Sequence, residues 1–303
     1  MTAASESGQR RHEVRRTGVV GGSGVYQLDG LEQARWEAVS SSFGTPSDAL
    51  LLGRLAEHEV AFLPRHGRGH QKSPSEIDYR ANVDALKRAG VAQLLSVSAV
   101  GSLREELAPG TFVLVDQFVD RTFGRASSFF GSGVVAHVSM GHPTCPRLAE
   151  ATLEAARALG VACVRGGTYL AMEGPQFSTL AESRLYQSWG CSVIGMTNLP
   201  EAKLAREAEL CYGPIAMVTD YDAWHPEHEH VTVDQVIATL HGNAERARAL
   251  VRAVIERIGG FEGPCPHGCD RALELAIITP PERRDPAAVE RLSAVAGRVL
   301  QKP

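Results

Sequence analysis

Short apolar runs rich in Val, Ile and Leu return along the whole chain, separated by longer amphipathic stretches, and this alternation constrains the fold more than any other feature. Runs of that length and composition read as strands: "TGVVGG" (17–22), "ALLLGRL" (49–55), "EVAFLPR" (59–65), "QLLSVSAVG" (93–101), "TFVLVDQF" (111–118), "RGGTYLAM" (165–172), "CSVIGM" (191–196) and "YGPIAMVTD" (212–220). Between them, helical spacing of apolar residues runs over about 78–90, 146–160, 178–190, 199–210 and 232–258. Strand and helix in turn specify an α/β domain, and such sheets bind ligands in the loops that follow their strands. The 303 residues suffice for one large domain of this kind. A seam falls at "GGFEGPCPHG" (259–268); beyond it "LELAII" (273–278) reads as a short strand and about 285–300 as a terminal amphipathic helix. The expected organisation is a flexible tail at 1–16, a main domain at 17–260 and a C-terminal appendage at 261–303 packed on that domain.

Composition removes several function classes. Apolar residues make up 44% and charged residues 22%, as in soluble globular proteins, and the apolar runs are far shorter than a membrane span requires. Residues 1–16 are polar and basic with no apolar centre, a poor secretory signal, so a cytoplasmic protein without a membrane partner is expected. Net charge is -4 and the basic residues, nearly all arginine, are scattered, which argues against a nucleic-acid face. Of six cysteines, those at 145, 163, 191 and 211 stand isolated and read as buried thiols of a reducing compartment. "CPHGC" groups Cys265, His267 and Cys269 as a metal corner or a local disulfide, but no second ligand pair at zinc spacing accompanies it, which favours a structural or incidental role.

The strand ends carry the chemistry. "GGSGVY" (21–26) is a glycine turn that lets backbone N–H groups approach an anion, with the Ser23 hydroxyl beside them. A dinucleotide fingerprint requires a further glycine where Gly24 is followed by Val25, Tyr26 and Gln27, so a phosphate or a tight turn fits better than a nicotinamide cofactor. "RHGRGH" (65–70) gathers Arg65, His66, Arg68 and His70; guanidinium groups grip phosphate in two-pronged fashion and imidazoles donate alongside. Ser98, Ala99 and Gly101 in "SVSAVGSL" (96–103) offer a hydroxyl and backbone donors, so three loops point to one small oxyanion. "AMEGPQFS" (171–178) brings Glu173, Phe177 and Ser178, and "IGMTNLPEA" (194–202) brings Met196 and Thr197. The last strand delivers Asp220 and Asp222; in an extended chain positions i and i+2 face one side, so both carboxylates would address one ligand.

The blocks "GGSGVY", "FGTPSD", "RHGRGH", "SAVGSLREELAPG", "DQFVDRT", "EGPQFS", "GMTNLPEA" and "VTDYDAW", in this order over roughly residues 16–258, closely resemble the methylthioadenosine phosphorylase family of the purine nucleoside phosphorylase superfamily. The resemblance implies a three-layer α/β/α phosphorylase fold with a mixed central β-sheet flanked by helices, assembled as a homotrimer or a hexamer built from trimers. It implies inorganic phosphate as co-substrate and no cofactor or metal. By position it assigns the phosphate to Ser23, Arg65, His66, Ser98, Ala99 and Thr197; Ser23 and Ser98 stand where many relatives have threonine, which keeps the hydroxyl. Met196 would lie against the ribose, Phe177 beside sugar and base, and Ser178, Thr219, Asp220 and Asp222 around the purine. Asp220 would donate to N7 as the acid and Asp222 accept from the 6-amino group, a pairing that implies adenine, since relatives acting on 6-oxopurines resemble "N-Y" here. Val233, Val236 and Ile237 would line the pocket for the 5' substituent, completed by His137 of a neighbouring subunit, or by His142, because segment 122–146 departs most from the family pattern. Such an apolar pocket would also accept 5'-deoxy- or 5'-halo-5'-deoxyadenosine. The rival readings are a phosphorylase of 6-oxopurine nucleosides or methylthioinosine, a nucleosidase that uses water, and a nucleoside-binding protein with a dead site.

Overall fold

The computed structural model describes residues 15–22, 28–226, 233–259 and 263–301, with the backbone alone over 233–242. Its strands are β1 (Arg16–Gly21), β2 (Glu32–Glu37), β3 (Leu50–Leu55), β4 (His58–Pro64), β5 (Val91–Ser102), β6 (Phe112–Leu114), β7 (Gln117–Arg121), β8 (Cys163–Arg165), β9 (Thr168–Met172), β10 (Val193–Gly195) and β11 (Cys211–Asp220). Its helices are α1 (Tyr79–Arg88), α2 (Pro146–Ala158), α3 (Leu180–Ser188), α4 (Asn198–Glu207), α5 (Val233–Ile258), α6 (Pro286–Arg291) and α7 (Ser293–Leu300). All strands join one mixed sheet whose axis is β5: β1 and β11 flank it in parallel, and its last residues pair antiparallel with β10. One arm then runs through β1 and β4 to β3 and β2, a second through β10 and β9 to β7, and a third through β11 and β6 to β8.

Both faces of this sheet are covered, which is why its central strands read as unbroken apolar runs. Val20, Leu50, Leu52, Leu94, Ala216 and Val218 pack in one layer with α1, α4, α6 and α7. Their strand neighbours Val19, Leu51, Leu95, Ile215 and Met217 pack in the other with α2 and α5. The period of two along each strand thus builds the three layers directly.

Several local expectations are corrected. The runs at 111–118 and 165–172 each break in two, β6/β7 and β8/β9, because Gly166 (φ 87°) and Gly167 (φ 131°) turn the chain and Gly167 N–H donates to Asp116 Oδ1 at 3.2 Å. Edge strand β2, "EQARWE", is exposed throughout and so carries no apolar pattern that would reveal it. "LELAII" forms turns, with a single bridge from Ala136 to Ile277. The terminal helix is two helices meeting at Leu292, the first capped by the Asp285 carboxylate on Ala287 N–H. At the other end β1 begins inside the expected tail, where Arg16 pairs with Glu59 and Arg15 donates to the Gly263 carbonyl.

Candidate active site

β4 ends beside the end of β1 and delivers Arg65 against the middle of β5. Arg65 is 1% exposed. Its Nε and Nη2 donate to Glu201 of α4 (2.9 and 3.2 Å), Nη2 also to Ser96 Oγ (2.7 Å), and Nη1 to the Val97 carbonyl (2.8 Å). The Tyr212 hydroxyl donates to the same Glu201 carboxylate at 2.9 Å. Burial works against the guanidinium charge, but Glu201 outweighs it and holds Arg65 protonated. The two-pronged grip on phosphate expected of Arg65 is therefore not the geometry found. Its fork is turned onto Glu201, and of its five N–H groups one on Nη1 has no partner among the described residues.

His66 is also buried, stacked on His70 at 4.2 Å, with Nδ1 2.9 Å from the Lys72 carbonyl. A carbonyl only accepts, so Nδ1 carries the proton and Nε2 is left as an acceptor. Burial foremost, with the Arg65 charge beside it, pushes His66 down to about 4, so the ring is neutral at pH 7. Arg68, expected alongside it, is held by Asp48 at 2.9 and 3.0 Å and lies 4.1 Å over the Trp36 ring. Ser47, Asp48, His66, Arg68 and Lys72 are among the residues lining a pocket of about 370 Å³.

Farther along β5, the buried Ser98 hydroxyl has no hydrogen-bond partner among the described residues. β10 runs antiparallel to the end of β5, Val193 opposite Ser102 and Ile194 opposite Gly101. Thr197 is buried, its N–H 3.4 Å from the Tyr169 hydroxyl, and neither the nitrogen nor the oxygen of the fully buried Asn198 amide has a partner among the described residues. Buried polar groups are nearly always bonded. Unpartnered ones at adjoining strand ends mark where a polar ligand belongs.

The acidic pair sits at the far end of β5. Asp220 closes β11 opposite Gly101; its Oδ2 accepts from the Thr219 hydroxyl (2.7 Å) and its Oδ1 from the Asp222 N–H (2.8 Å). Asp222 has φ 52°, so the strand alternation expected to align the two carboxylates stops at Asp220. A side-chain-to-backbone turn brings them together instead. Gly101 makes the room: a Cβ there would stand 2.9 Å from Asp220 Oδ1 and 3.2 Å from Asp222 Cβ. Ser178 and Ser183 lie beside Asp222, yet its buried Oδ2 has no hydrogen-bond partner among the described residues. Burial first, and mutual repulsion for Asp220, raise both carboxyls above their ordinary range. Such a pair retains a shared proton more readily than a solvated carboxylate does.

Arg125, which the sequence reading passed over, locks the loops around this centre. Its buried guanidinium donates to the carbonyls of Met196, Leu199 (2.8 Å) and Glu173 (2.6 Å) and pairs with the Glu173 carboxylate (3.4 Å). Glu173 accepts in addition from Phe123 N–H at 2.7 Å and from Ser75 Oγ. Burial raises the Glu173 carboxyl, but those bonds outweigh it and hold it below the usual range. Gly174 (φ 70°) admits the Met196 side chain, whose sulfur would lie 2.5 Å from a Cβ placed there.

The structure thus sets Ser98, Ala99, Thr219 and Asp220 along the second half of β5, with Asp222 beside Gly101 and Arg65 on Ser96 and Val97; His66 adjoins Arg65, and Met196 and Thr197 follow β10 beside Gly174 and Tyr169. Phe177, 42% exposed, and Ser178 lie just before α3. His137 and His142 are both exposed, the former with its N–H on the Ala276 carbonyl at 2.9 Å. Ser23 lies outside the described residues, as do the side chains of Val233, Val236 and Ile237. Glu201 and Arg125 are the contributors missed; Glu201 stood inside "GMTNLPEA", but nothing in the spacing said which partner it would meet, and Gly101, expected as a backbone donor, instead makes room for the acid pair.

A mixed sheet that ends in an anion-ready group of strand loops facing a proton-sharing acid pair defines a nucleoside-processing α/β enzyme scaffold. The phosphorylase superfamily model matches residues 16–256, and the chain belongs to that family. Within it, the chain is 64% identical to S-methyl-5'-thioadenosine phosphorylase of Cereibacter sphaeroides over 284 residues, 94% of this chain and 98% of the relative. The enzyme of the same name from Rhodospirillum rubrum is 61% identical over 283 residues, 93% of this chain and 96% of the relative. Among solved structures, a methylthioadenosine phosphorylase from an antarctic soil metagenomic library superposes with TM-score 0.88 at 43% identity, covering 93% of this chain and 99% of its own. Methylthioadenosine phosphorylase from Schistosoma mansoni in complex with adenine superposes with TM-score 0.81 at 36% identity, covering 89% and 99%.

Proposed function

We propose that this protein catalyses phosphorolysis of 5'-methylthioadenosine to adenine and 5-methylthioribose 1-phosphate, in purine and methionine salvage. The observation that carries the reading is the layout along β5: unpartnered Ser98 and the acid pair at Gly101 are three residues apart, about 10 Å of extended chain. A ribose with an anion below it and a purine above it fits that interval.

In the reaction, a phosphate oxygen bonds to the anomeric carbon from the face opposite the base as the carbon–N9 bond breaks. The bonding pair leaves with adenine, and a proton from the Asp220–Asp222 pair reaches N7. Asp220 is the acid, and Asp222 accepts from the 6-amino group. Ser98, Thr197, the backbone at Ala99, Ser23 and the spare N–H of Arg65 hold phosphate, and neutral His66 accepts from a protonated phosphate oxygen. The Arg65–Glu201 pair fixes the floor of the anion site. Because these donors are set before substrate arrives, little reorganisation accompanies charge development. Met196 and Phe177 border the sugar and base, Ser178 and Thr219 steady the carboxyls, and Val233, Val236 and Ile237 take the methylthio group. No cofactor is required.

The enzyme is a homotrimer, or a hexamer of trimers, in the cytoplasm. Support for assembly comes from exposed apolar side chains near His137: Leu275 is 96% exposed, Ile278 61% and Val135 41%. Such a patch on a folded surface is the kind a subunit contact covers, and its neighbourhood supports the reading that His137 serves a neighbouring subunit's 5' pocket. The test is a panel of nucleosides with phosphate: methylthioadenosine is expected to be cleaved with at least ~100-fold higher kcat/KM than inosine or methylthioinosine, a gap that two unpaired buried groups produce. Equal rates on the 6-oxopurines would overturn the adenine assignment.

A further inference from the structure

Four of the six cysteines converge on one point away from the acid pair. Cys145 caps α2, Cys211 opens β11, and Cys265 and Cys269 flank the turn at Gly268 (φ 68°). Their sulfurs all lie within 4.8 Å of one another, and all four residues are buried, at most 3% exposed. All four are free thiols, and Cys145 Sγ stands 3.8 Å from Cys265 Sγ, far beyond a disulfide length of about 2.05 Å. Four ligands at about 2.3 Å around a tetrahedral ion have edges of about 3.8 Å, so this spacing is the one a thiolate-bound metal sets. From this geometry we propose that Cys145, Cys211, Cys265 and Cys269 form a structural zinc site.

The surroundings suit thiolates. On binding, the four thiols release their protons to solvent and the centre carries a net charge of -2. Arg147 Nη2 lies 3.6 Å from Cys211 Sγ. Hydrogen bonds of this kind orient ligands and offset charge around a metal. The Cys145 N–H donates to the Tyr212 carbonyl at 2.8 Å, and the Cys265 N–H to Asp270 at 3.0 Å, so both arms are fixed by their own backbone. His267 is exposed and is not a ligand. The "CPHGC" turn lacked a visible second pair because Cys145 and Cys211 are far from it, and from each other, in sequence. A closed all-sulfur set of four leaves no open position for chemistry, so the site is structural and clips the C-terminal segment to β11 and α2. Ten-residue β11 separates Cys211 from Asp220 by about 30 Å, so the metal takes no part in the reaction.

The test is metal analysis of the full-length protein purified under reducing conditions without chelator, together with X-ray absorption at the zinc edge. About one zinc per chain with four sulfur neighbours at about 2.3 Å is expected. Cobalt substitution should give the intense visible bands and sulfur-to-metal charge transfer of a tetrahedral thiolate site. Chelation should lower the melting temperature and leave KM for phosphate unchanged. Protein with Cys191→Ser, a thiol outside the group, should keep its zinc, and Cys269→Ser should lose it. Metal-free protein overturns the proposal, whether its four thiols alkylate freely on denaturation or are blocked as two disulfides; so does bound iron in place of zinc, or zinc with nitrogen or oxygen neighbours. Should Cys269→Ser fail to fold, the wild-type absorption spectrum alone decides.

Discussion

In the proposed reaction Asp220 carries the heaviest chemical load of any single residue. Replacing it by Asn keeps its shape and removes its proton, so kcat should fall by roughly 10²- to 10⁴-fold while KM for the nucleoside changes little. Steady-state kinetics check this, and an unchanged kcat would remove Asp220 from the role of acid. Because burial first, and the Asp222 charge after it, raise the Asp220 carboxyl, its protonated form survives to higher pH than in an ordinary aspartate. The rate should decline as pH rises through that raised value. His66 behaves in the opposite sense. Its folded value is about 4 against an ordinary 6.5, so between those values the unfolded chain takes up a proton that the folded chain refuses. Its contribution to stability is fully present above pH 6.5 and is lost as pH falls toward 4. Denaturant midpoints of wild type and His66→Gln, measured across that window, should show the wild type losing stability more steeply.

At the scale of elements, the active site depends on loops being locked to strands. Arg125 joins the loop after β9 to the loop after β10 through carbonyls on both, and Arg125→Lys replaces a planar fork with a single point donor. A loss on the order of 10²-fold in kcat/KM is expected, the size that misplacement of about 1 Å produces. Gly101→Ala tests the strand beneath the acid pair: the new Cβ meets Asp220 and Asp222, so activity should drop at least ~10-fold with the fold retained by circular dichroism. An active Gly101→Ala enzyme would show that the pair has more freedom than the packing indicates. Central strands were legible because both faces are buried and their residues could not hide; β2 was not, because every residue in it faces water. The candidate site was legible as residue types at strand ends. Its partnerships were not: Arg65 turning to Glu201, and the Asp222 N–H closing on Asp220, are choices made by packing between segments far apart in sequence or by a local turn that breaks strand periodicity.

For the molecule as a whole, the three layers and the C-terminal segment act together. The exposed patch around Leu275 and Ile278 predicts that sedimentation will report a trimer or a hexamer and that Leu275→Lys will weaken it. A monomeric wild type at micromolar concentration would contradict the shared 5' pocket. The segment beyond residue 263 adds Leu292, Val295 and Leu300 to the same apolar layer as α1 and α4, so it is part of the domain's core despite standing outside the strand–loop blocks that carry the family resemblance. In the proposed reaction phosphate, held along β5, attacks a nucleoside whose adenine is gripped at Asp220 and Asp222. The most direct test is adenine release from 5'-methylthioadenosine as phosphate is titrated, with the sugar product identified by phosphorus resonance. Release that saturates with phosphate and yields 5-methylthioribose 1-phosphate in equal amount is the expected result; release at the same rate without phosphate, giving free methylthioribose, would contradict it.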